Sequence, residues 1–358
     1  MTDEEKIYVW LCSFEFVVAK KCHILKEFYG SAKNIFAAFE KCDPELYNIF
    51  PQEHVDKMCQ LADINYINNY LKNLQNLGVE AITFVDPRYP QKLLQTNDYP
   101  FVLYCKGDLS LLNSRCIAVV GTRNPGIYGK TITYDIAKGL ARAGLTIVSG
   151  MAIGVDSISH KASLEAGGRT IAVLPNGFNN IYPKINENIC HEIEKKNLVI
   201  TEYPPNVRAM KFTFVARNRI IAGLSDGVVI TAGSKKSGAL YTKEFAYDYN
   251  RNVYAVPGNI SSAESEGPNM LIATSQAQIV LGYKDILKDF GLQDKTKKQV
   301  FQLSIEEQQI VDSLKNQPQY FDNLQILTKI ESKKLNSYLT TMVIRGIIKK
   351  LPGNMFSL

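Results

Sequence analysis

The sequence lacks the features that define several classes of protein. It contains no run of about 18 apolar residues, so it predicts no membrane-spanning helix. Its seven cysteines never form a CxxC pair and its four histidines form no HExxH motif, which argues against a disulfide framework and a metal site. The acidic start "MTDEEKIYVW" lacks the basic segment of a signal peptide. These absences predict a cytoplasmic protein with reduced thiols, no metal and no cofactor.

The net charge of +6 is mild, but the charges are unevenly distributed along the chain. Residues 1–114 carry a balance of −4, residues 115–290 carry +6 and residues 291–358 carry +4. The middle and the end of the chain therefore suit a polyanionic partner, whereas the first segment does not. Ordinary variation of surface charge is the alternative interpretation.

Changes in residue pattern divide the sequence into domains. Residues 1–75 have apolar side chains at helical spacing and predict a small helical domain. Residues 76–115 carry two short β-rich runs between prolines and predict a connector that joins the next sheet. Up to residue 290, short apolar runs then alternate with helical segments, which predicts a doubly wound, Rossmann-like parallel α/β sheet. The predicted strands of this sheet cover residues 116–120, 145–149, 170–174, 198–202, 227–231 and 252–256.

The end of the chain predicts a separate small domain. Residues 291–300 are polar and charged and predict a linker. Residues 301–358 predict three short helices and a β-like end, which are the proportions of a winged helix. Ser304 and Glu307 fit a capping box at the start of the first of these helices. Winged helices contact DNA or proteins, so this shape alone does not decide the function.

A glycine-rich loop follows the first predicted strand of the α/β sheet, in "VVGTRNPGIYGKT". Its Gly129-Lys130-Thr131 ending is like that of a nucleotide-binding loop, but Asn124 stands where such a loop needs its first glycine. Pro125 has no N–H to donate, and no second glycine follows Gly121 as a dinucleotide motif requires. We predict an anion-binding loop that carries Arg123, with residues 129–131 as the start of a helix. A plain strand–helix turn with an incidental arginine is the alternative.

Two more glycine loops lie between a predicted strand and a helix. "VSGMAIGVDSISH" contains Ser149 and Gly150, and "AGSKKSGALYTKE" contains Ser237-Gly238. Asp156 and His160 lie one helical turn apart in the first loop, but no G-x-S-x-G motif is present, so we interpret them as a cap and a helix pair. The carboxyl ends of parallel strands share one edge of a sheet. Three such loops therefore predict a site for a ligand with several phosphates.

The strongest basic cluster is "NVRAMKFTFVARNRIIAGLSD". Phe212 and Phe214 alternate with its cations, and arginine matches phosphate oxygens while aromatic rings stack on bases. In the alternative interpretation the phenylalanines belong to the core and one arginine pairs with a buried carboxylate, since residues two apart on a helix point different ways. The cations of the cluster are Arg208, Lys211, Arg217 and Arg219.

Six ordered blocks, between about residues 85 and 285, resemble the DprA (Smf) family of DNA-processing proteins. They are "VVGTRNPGIYG", "VSGMAIGVDSISHKASLEAGGRTIAVLPNGFNNIYP", "TEYPP", "FVARNRIIAGLSDGVVI", "SGALYT" and "NVYAVPG…EGPNMLI". More weakly, the helical N-terminus resembles the SAM-like domain of this family and residues 301–358 resemble its winged-helix domain.

The resemblance implies a protein that binds single-stranded DNA without sequence preference, protects incoming DNA and loads RecA recombinase during natural transformation. It also implies a homodimer formed through the Rossmann-like domain, and no catalysis. Arg123 and Lys161 would be basic DNA contacts, and one of Arg217 and Arg219 would face the groove. The complete set of implied DNA-binding residues is Gly121, Thr122, Arg123, Asn124, Tyr128, Ser149, Gly150, Lys161, Phe214, Arg217, Asn218, Arg219, Ser237 and Gly238.

This sequence departs from the family pattern at a few positions. Ile153 stands where an arginine is frequent, Ala232 where an acidic residue is frequent, and Ser275-Gln276 where Gly-Ala is usual. A rival hypothesis is a Rossmann-like enzyme that acts on a nucleotide or sugar-phosphate, similar to the phosphoribohydrolases. Thr242 and Glu244 fit part of their PGGxGTxxE motif, but its paired glycines are missing.

Overall fold

One nine-stranded sheet organises the first part of the chain. This computed structural model describes residues 1–293 and 303–358, which belong to two compact units, Met1–Lys295 and Thr296–Leu358. The predicted linker, residues 291–300, lies outside the described residues from residue 294 onward.

Runs rich in β-branched residues form the strands of the large sheet, because such side chains pack well on a pleated surface. The strands are β1 (Glu80–Thr83), β2 (Val102–Gly107), β3 (Cys116–Val120), β4 (Thr146–Ser149), β5 (Arg169–Val173), β6 (Leu198–Thr201), β7 (Gly227–Ile230), β8 (Asn252–Ala255) and β9 (Gln278–Ile279). Their order is β1-β2-β6-β5-β4-β3-β7-β8-β9. Strands β3 to β9 pair in parallel, whereas β1 pairs antiparallel with β2, and β2 with β6.

The order of the strands reverses between β3 and β7. From β3 the chain adds β4, β5 and β6 on one side, and it then returns to add β7, β8 and β9 on the other. The loops that leave β3 and β7 therefore turn in opposite directions, which opens a crevice beyond the carboxyl ends of these two strands. Doubly wound sheets bind their ligands at such a point.

Helices cover both faces of the sheet. Gly30 ends the second helix at φ +79°, and the side chain of Ser31 caps the third by accepting a hydrogen bond from Asn34 N at 3.2 Å. No helix among the residues described is both long and apolar enough to cross a membrane. The helices of this unit are α1 (Asp3–Leu11), α2 (Ala19–Tyr29), α3 (Ala32–Glu40), α4 (Gln52–Gln60), α5 (Ile64–Asn76), α6 (Gln91–Leu94), α7 (Ile127–Arg142), α8 (Val155–Glu165), α9 (Glu187–Lys196), α10 (Lys211–Leu224), α11 (Ala239–Asp248), α12 (Glu266–Ala273) and α13 (Tyr283–Asp289).

Strand side chains alternate between two apolar cores, one on each face. In β3, Cys116, Ala118 and Val120 belong to the larger core, whereas Ile117 and Val119 belong to the core beneath α7. Both faces are covered, so every residue of the strand is buried. This explains why buried parallel strands read as continuous apolar runs rather than as alternating ones.

The N-terminal helices α1 to α5 pack against the antiparallel edge of the sheet. Trp10 is fully buried there and donates from Nε1 to the carbonyl of Leu61 at 2.8 Å. Tyr104 of β2 donates its hydroxyl to the carbonyl of Cys12 at 3.0 Å. The helical segment and the sheet share one apolar core, so they lie in the same compact unit. That residues 1–75 fold as an independent domain stays a prediction.

The second unit has its own small core and a three-stranded antiparallel sheet in the order β10-β12-β11. Ser304 and Glu307 form the predicted capping box, with backbone-to-side-chain hydrogen bonds of 3.2 and 2.9 Å. The helix–strand–helix–helix–strand–strand order is that of a winged helix, as predicted. Its elements are α14 (Ile305–Leu314), β10 (Gln319–Tyr320), α15 (Phe321–Thr328), α16 (Ser332–Ile344), β11 (Lys349–Leu351) and β12 (Met355–Ser357).

The predicted Rossmann-like α/β fold is confirmed, with two local differences. Helix α10 begins at Lys211, although the alternating Phe-Thr-Phe run that follows Lys211 is not a helical pattern. The elements α12, β9 and α13 are absent from the sequence prediction. Strand β9 has only two residues, and Gly267-Pro268 in the first turn of α12 conceals its helical pattern.

Candidate functional site

An open groove lies where the strand order reverses, and we call it the switch-point groove. Its volume is about 710 Å³, and the loops after β3, β4 and β7 line it together with α10. The structure thereby brings together eight of the residues to which the sequence assigned DNA binding. These are Gly121, Thr122, Arg123, Phe214, Arg217, Asn218, Ser237 and Gly238.

Main-chain contacts hold the two sides of the groove together. Thr122 N donates to the carbonyl of Ala232 at 2.8 Å, and the carbonyl of Thr122 accepts from Val155 N at 3.2 Å. A Cβ at Gly121 would lie 2.6 Å from the Ala232 oxygen, so only glycine allows the loops after β3 and β7 to approach this closely. Ala232 therefore contributes through its backbone, and the contact needs no acidic side chain at this position.

Arg123 and two aromatic rings form a cluster at the mouth of the groove. The guanidinium carbon of Arg123 lies 5.0 Å from the centre of the Phe214 ring, within the range of a cation–π contact. Tyr182 meets the same ring edge-on, with ring centres 5.7 Å apart. Arg123 and Tyr182 are exposed and Phe214 is partly exposed. A charged group and an aromatic face are thus presented to solvent side by side.

Lys211 adds a second exposed cation, at the first residue of α10. A lysine at this end of a helix opposes the helix dipole, so helix stability does not explain its presence. Among the described residues, no carboxylate forms an ion pair with Lys211 or Arg123. Lys235 and Lys236, in the loop before α11, are also exposed and without such a partner. The groove therefore has cations that are free to meet an anion.

Arg217 lines the groove but is buried and already hydrogen-bonded. Its Nη1 donates to the carbonyl of Gly150 at 2.5 Å and to the carbonyl of Val173, and its Nε donates to Asn218 Oδ1 at 3.2 Å. Burial lowers the pKa of Arg217 to about 10. A Cβ at Gly150 would fall on this guanidinium, so the glycine leaves room for it. Arg217 joins the ends of β4 and β5 behind the groove.

Asp156 occupies the amides of the loop after β4. Its Oδ2 accepts from Gly150 N at 3.1 Å and from Ala152 N at 3.3 Å, so the Gly150 amide that the sequence assigned to DNA is used within the protein. Burial raises the pKa of Asp156, although Arg217 acts in the opposite direction. His160 is buried and hydrogen-bonds Thr170 Oγ1 through Nδ1 at 2.7 Å rather than pairing with Asp156.

Arg219 points away from the groove, into the interface with the N-terminal helices. Its Nη2 donates to Glu202 Oε2 at 2.5 Å, and its Nε lies 3.6 Å from Asp98 Oδ2. Burial raises the pKa of Glu202, and the charge of Arg219 opposes that rise. Phe212 lines the same cavity, which is separate from the groove. This is the buried pair that the alternative interpretation of the basic cluster allowed.

The other residues in the implied set lie outside the lining of the groove. Ser149 is buried and donates its hydroxyl to the carbonyl of Val119 at 2.7 Å. Lys161 is exposed on α8, and Asn124 is exposed in the loop after β3. Tyr128, in the first turn of α7, donates its hydroxyl to the carbonyl of Pro257 at 2.8 Å. Only the exposed members of this set can reach a ligand without rearrangement.

The N-terminus of α7, which the sequence predicts as an open anion site, holds a carboxylate of the protein. Gly126 N donates to Glu264 Oε2 at 2.5 Å. The loops after β3 and β4 are therefore each occupied by a side chain, the first by Glu264 and the second by Asp156. This corrects the prediction of three free phosphate loops at this edge. Residues 129–131 are helical, as predicted, although α7 begins two residues earlier, at Ile127.

Several groove residues were missed by reasoning from the sequence. Tyr182, Met210 and Tyr241 line the groove, and each is about half exposed. The signal for Tyr182 was present, since it lies in one of the resembling blocks and in a loop beyond a predicted strand. Within the described residues, no cluster of three or more His, Cys, Asp or Glu side chains is suited to a metal ion.

The central part of the chain matches a known sequence family. The family described as DNA recombination-mediator protein A matches residues 80–291, which include the whole switch-point groove. The chain belongs to this family. The DNA processing protein DprA of Bacillus subtilis is 41% identical over 213 residues, which are 59% of this chain and 71% of that protein. The DprA of Streptococcus pneumoniae is 40% identical over 240 residues, 67% of this chain and 82% of that protein.

Solved structures of recombination-mediator proteins have the same fold. The X-ray structure of DprA from Streptococcus pneumoniae superposes with a TM-score of 0.68 at 30% identity and covers 79% of this chain and 97% of that chain. The DNA processing protein A of Helicobacter pylori superposes with a TM-score of 0.54 at 32% identity, over 59% of this chain and 95% of that chain. The structure of the Helicobacter protein is described as revealing a single-stranded DNA binding mode.

Proposed function

We propose that this recombination mediator binds single-stranded DNA, without sequence preference, in the switch-point groove. The proposal rests on two exposed cations, Arg123 and Lys211, beside the partly exposed ring of Phe214. Among the described residues, neither cation forms an ion pair with a carboxylate. The cations neutralise successive phosphates, while the ring accepts an unstacked base. The single-stranded DNA binding described for the Helicobacter relative supports the same assignment.

Buried arginines position this site rather than contact the strand. Arg217 holds the carbonyls of Gly150 and Val173, and Arg219 holds Glu202. Neither guanidinium can turn to a phosphate without leaving a buried acceptor or carboxylate unsatisfied, which is costly. We assign the direct contacts to Arg123, with Lys211 added, and we keep Lys161, Asn124 and Tyr128 as flanking candidates.

The groove selects a single strand because it is lined by rings as well as by cations. Every base has a π-face, so stacking on Phe214, Tyr182 or Tyr241 is independent of sequence. In a duplex these faces are already stacked within the helix, so only the phosphates remain available. We therefore propose that duplex DNA binds more weakly than single strands at the same salt concentration.

The proposal includes no catalytic step. Asp156 and His160 are engaged with the backbone of their own loop and with Thr170, so neither is placed to activate a nucleophile. The rival phosphoribohydrolase reading needs a carboxylate in the groove, but Glu244 is exposed on α11, pairs with Lys243 and does not line it. Released base from nucleoside monophosphates remains the assay that would favour that rival.

As parts of the same proposal, the chain acts in the cytoplasm, forms a homodimer and transfers the bound strand to RecA recombinase. These roles are those that the family resemblance implies for a protein that protects incoming DNA during transformation. An exposed groove with salt-dependent contacts suits such transfer, because the strand can be released one contact at a time.

The test measures fluorescence anisotropy of a labelled oligothymidine of about 20 nucleotides, long enough to cross one binding site. The full chain is titrated across a series of salt concentrations, in parallel with a duplex of the same length. We expect affinity for the single strand to fall steeply with salt and to exceed affinity for the duplex. Binding that is independent of salt, or equal for the duplex, would refute the proposal.

A further inference from the structure

Glu264 lies where a doubly wound sheet ordinarily receives a phosphate. In such folds the phosphate binds at the N-terminus of the helix after the strand at the switch point, where free N–H groups and the helix dipole favour an anion. Here that helix is α7, and the anion at its N-terminus is the Glu264 carboxylate, at 2.5 Å from Gly126 N. The group belongs to the loop that follows β8, far away in the sequence.

The first turn of α7 is shaped around this carboxylate. A Cβ at Gly126 would lie 2.6 Å from Glu264 Oε1, and a Cβ at Gly129 would lie 2.9 Å from Glu264 Oε2. A side chain at either glycine would therefore push the carboxylate away from the helix terminus. The glycine spacing that makes this segment look like a nucleotide-binding loop is explained by an anion from within the chain.

The backbone of Glu264 is also held in place. Gly233 N donates to the carbonyl of Glu264 at 2.5 Å, and the carbonyl of Gly233 accepts from Gly267 N at 2.8 Å. Glu264 thus connects the loop after β7 to the start of α7 through its main chain and its side chain. No lysine or arginine of the described residues forms an ion pair with it, so its negative charge faces the helix terminus alone.

We infer that Glu264 is a specificity-determining residue that keeps free phosphate and nucleoside phosphates out of the N-terminus of α7. A phosphate would compete for the same N–H and would be repelled by the carboxylate. A ligand of the groove must therefore bind through Arg123 and Lys211 and not through the helix terminus. The role of Glu264 in excluding phosphate goes beyond strand binding and does not depend on it.

The test is calorimetric titration of the full chain with inorganic phosphate and with AMP, at constant ionic strength. For E264A we expect binding of phosphate about tenfold or more tighter than for the unmodified chain, since the helix terminus becomes free. E264Q keeps the shape of the side chain but removes the charge, and it should show a smaller gain. E266A removes a charge two residues away on the exposed side of α12 and should behave as the unmodified chain does.

The double variant E264A/G126A locates the gain. Its added Cβ fills the space that the carboxylate occupied, so the binding gained in E264A should be lost. A gain that persists in the double variant would overturn the inference, because phosphate would then bind elsewhere. If E264A does not fold, as judged by thermal melting, E264Q decides, and phosphate affinity equal to that of the unmodified chain in a folded E264Q overturns the inference.

Discussion

The Arg123 guanidinium and the Phe214 ring meet across the groove, 5.0 Å apart, although they come from a loop and a helix that are distant in the sequence. Helix α10 thereby orients a cation that belongs to the loop after β3. An exposed cation–π contact of this kind contributes about 0.5–1 kcal/mol, enough to favour one arrangement of a flexible side chain. The charge of Arg123 and the ring of Phe214 therefore act together. The first two predictions measure their contributions to binding separately.

Replacing Phe214 with alanine should weaken single-strand binding by about 1–3 kcal/mol, because a stacking surface for one base is lost. Phe212, two residues earlier on α10, is the matched control. It is more exposed, but it lines the separate cavity beside Arg219, so its replacement should leave affinity nearly unchanged. Anisotropy titrations of both variants at one salt concentration make the comparison. Equal losses would show that the ring has no direct part in binding.

Replacing Arg123 or Lys211 with alanine should flatten the salt dependence as well as weaken binding. Each lost phosphate contact reduces the slope of log affinity against log salt by about 0.7 for a single strand. Lys161→Ala tests a cation that is exposed on α8 but outside the lining of the groove, and its slope should change less. A larger change of slope for Lys161→Ala than for Arg123→Ala would show that the strand binds along α8 and not in the groove.

Gly150→Ala should destabilise the protein by about 1–3 kcal/mol, the usual range for overpacking. Its new methyl group would collide with the buried guanidinium of Arg217. Gly238→Ala is the control, since no atom lies within 4 Å of its Cβ position and its φ of −58° is helical. There the loss of chain entropy in the unfolded state should stabilise by about 0.4–1 kcal/mol. Urea unfolding followed by circular dichroism measures both, and a neutral Gly150→Ala contradicts the packing.

His160 should make the protein less stable in acid. Burial lowers the pKa of His160 to about 3, whereas an unfolded histidine titrates at about 6.5. Between these values the unfolded chain binds one more proton, so the free energy of unfolding falls as the pH is lowered, by about 2 kcal/mol from pH 7 to pH 5.

His160→Asn isolates this contribution, because its amide can still donate to Thr170 but does not titrate. The buried acids Asp156 and Glu202 have raised pKa values and act with the opposite sign, but they are common to both proteins. Urea unfolding at pH 7 and pH 5 should therefore show a smaller loss for the variant. Identical losses in the two proteins would mean that His160 titrates normally in the folded state.

The sequence predicted the strands and the groove loops well because both are local patterns. Strand β3 is an apolar run that ends at a glycine. Such a run predicts a buried strand whatever its position in the sheet. The direction of a side chain is not local. Arg217 and Arg219 lie two residues apart on α10, yet one joins β4 to β5 and the other pairs with Glu202. The packing of α10 between two surfaces decides the direction in which each arginine points.

The role of Glu264 could not be predicted from the sequence for the same reason. It is 138 residues from Gly126, in a loop with no motif of its own, and nothing local marks its carboxylate as the occupant of a helix terminus. The glycines of "NPGIYGKT" did indicate an anion, correctly, but they could not indicate that the anion is part of the chain. A local sequence pattern can predict an anion-binding loop, but the fold decides which anion binds there.

The frame of the switch-point groove is built from main chain and from the buried side chain of Arg217, which joins β4 to β5. Its two sides are joined by Thr122 N and the Ala232 carbonyl, with Gly121 between them, while Arg123, Phe214 and Tyr182 only decorate the opening. The width of the groove and the chemistry of its opening therefore depend on different groups. We therefore expect that replacing the side chains at the opening would change which polymer the groove holds and leave the distance between its walls unchanged.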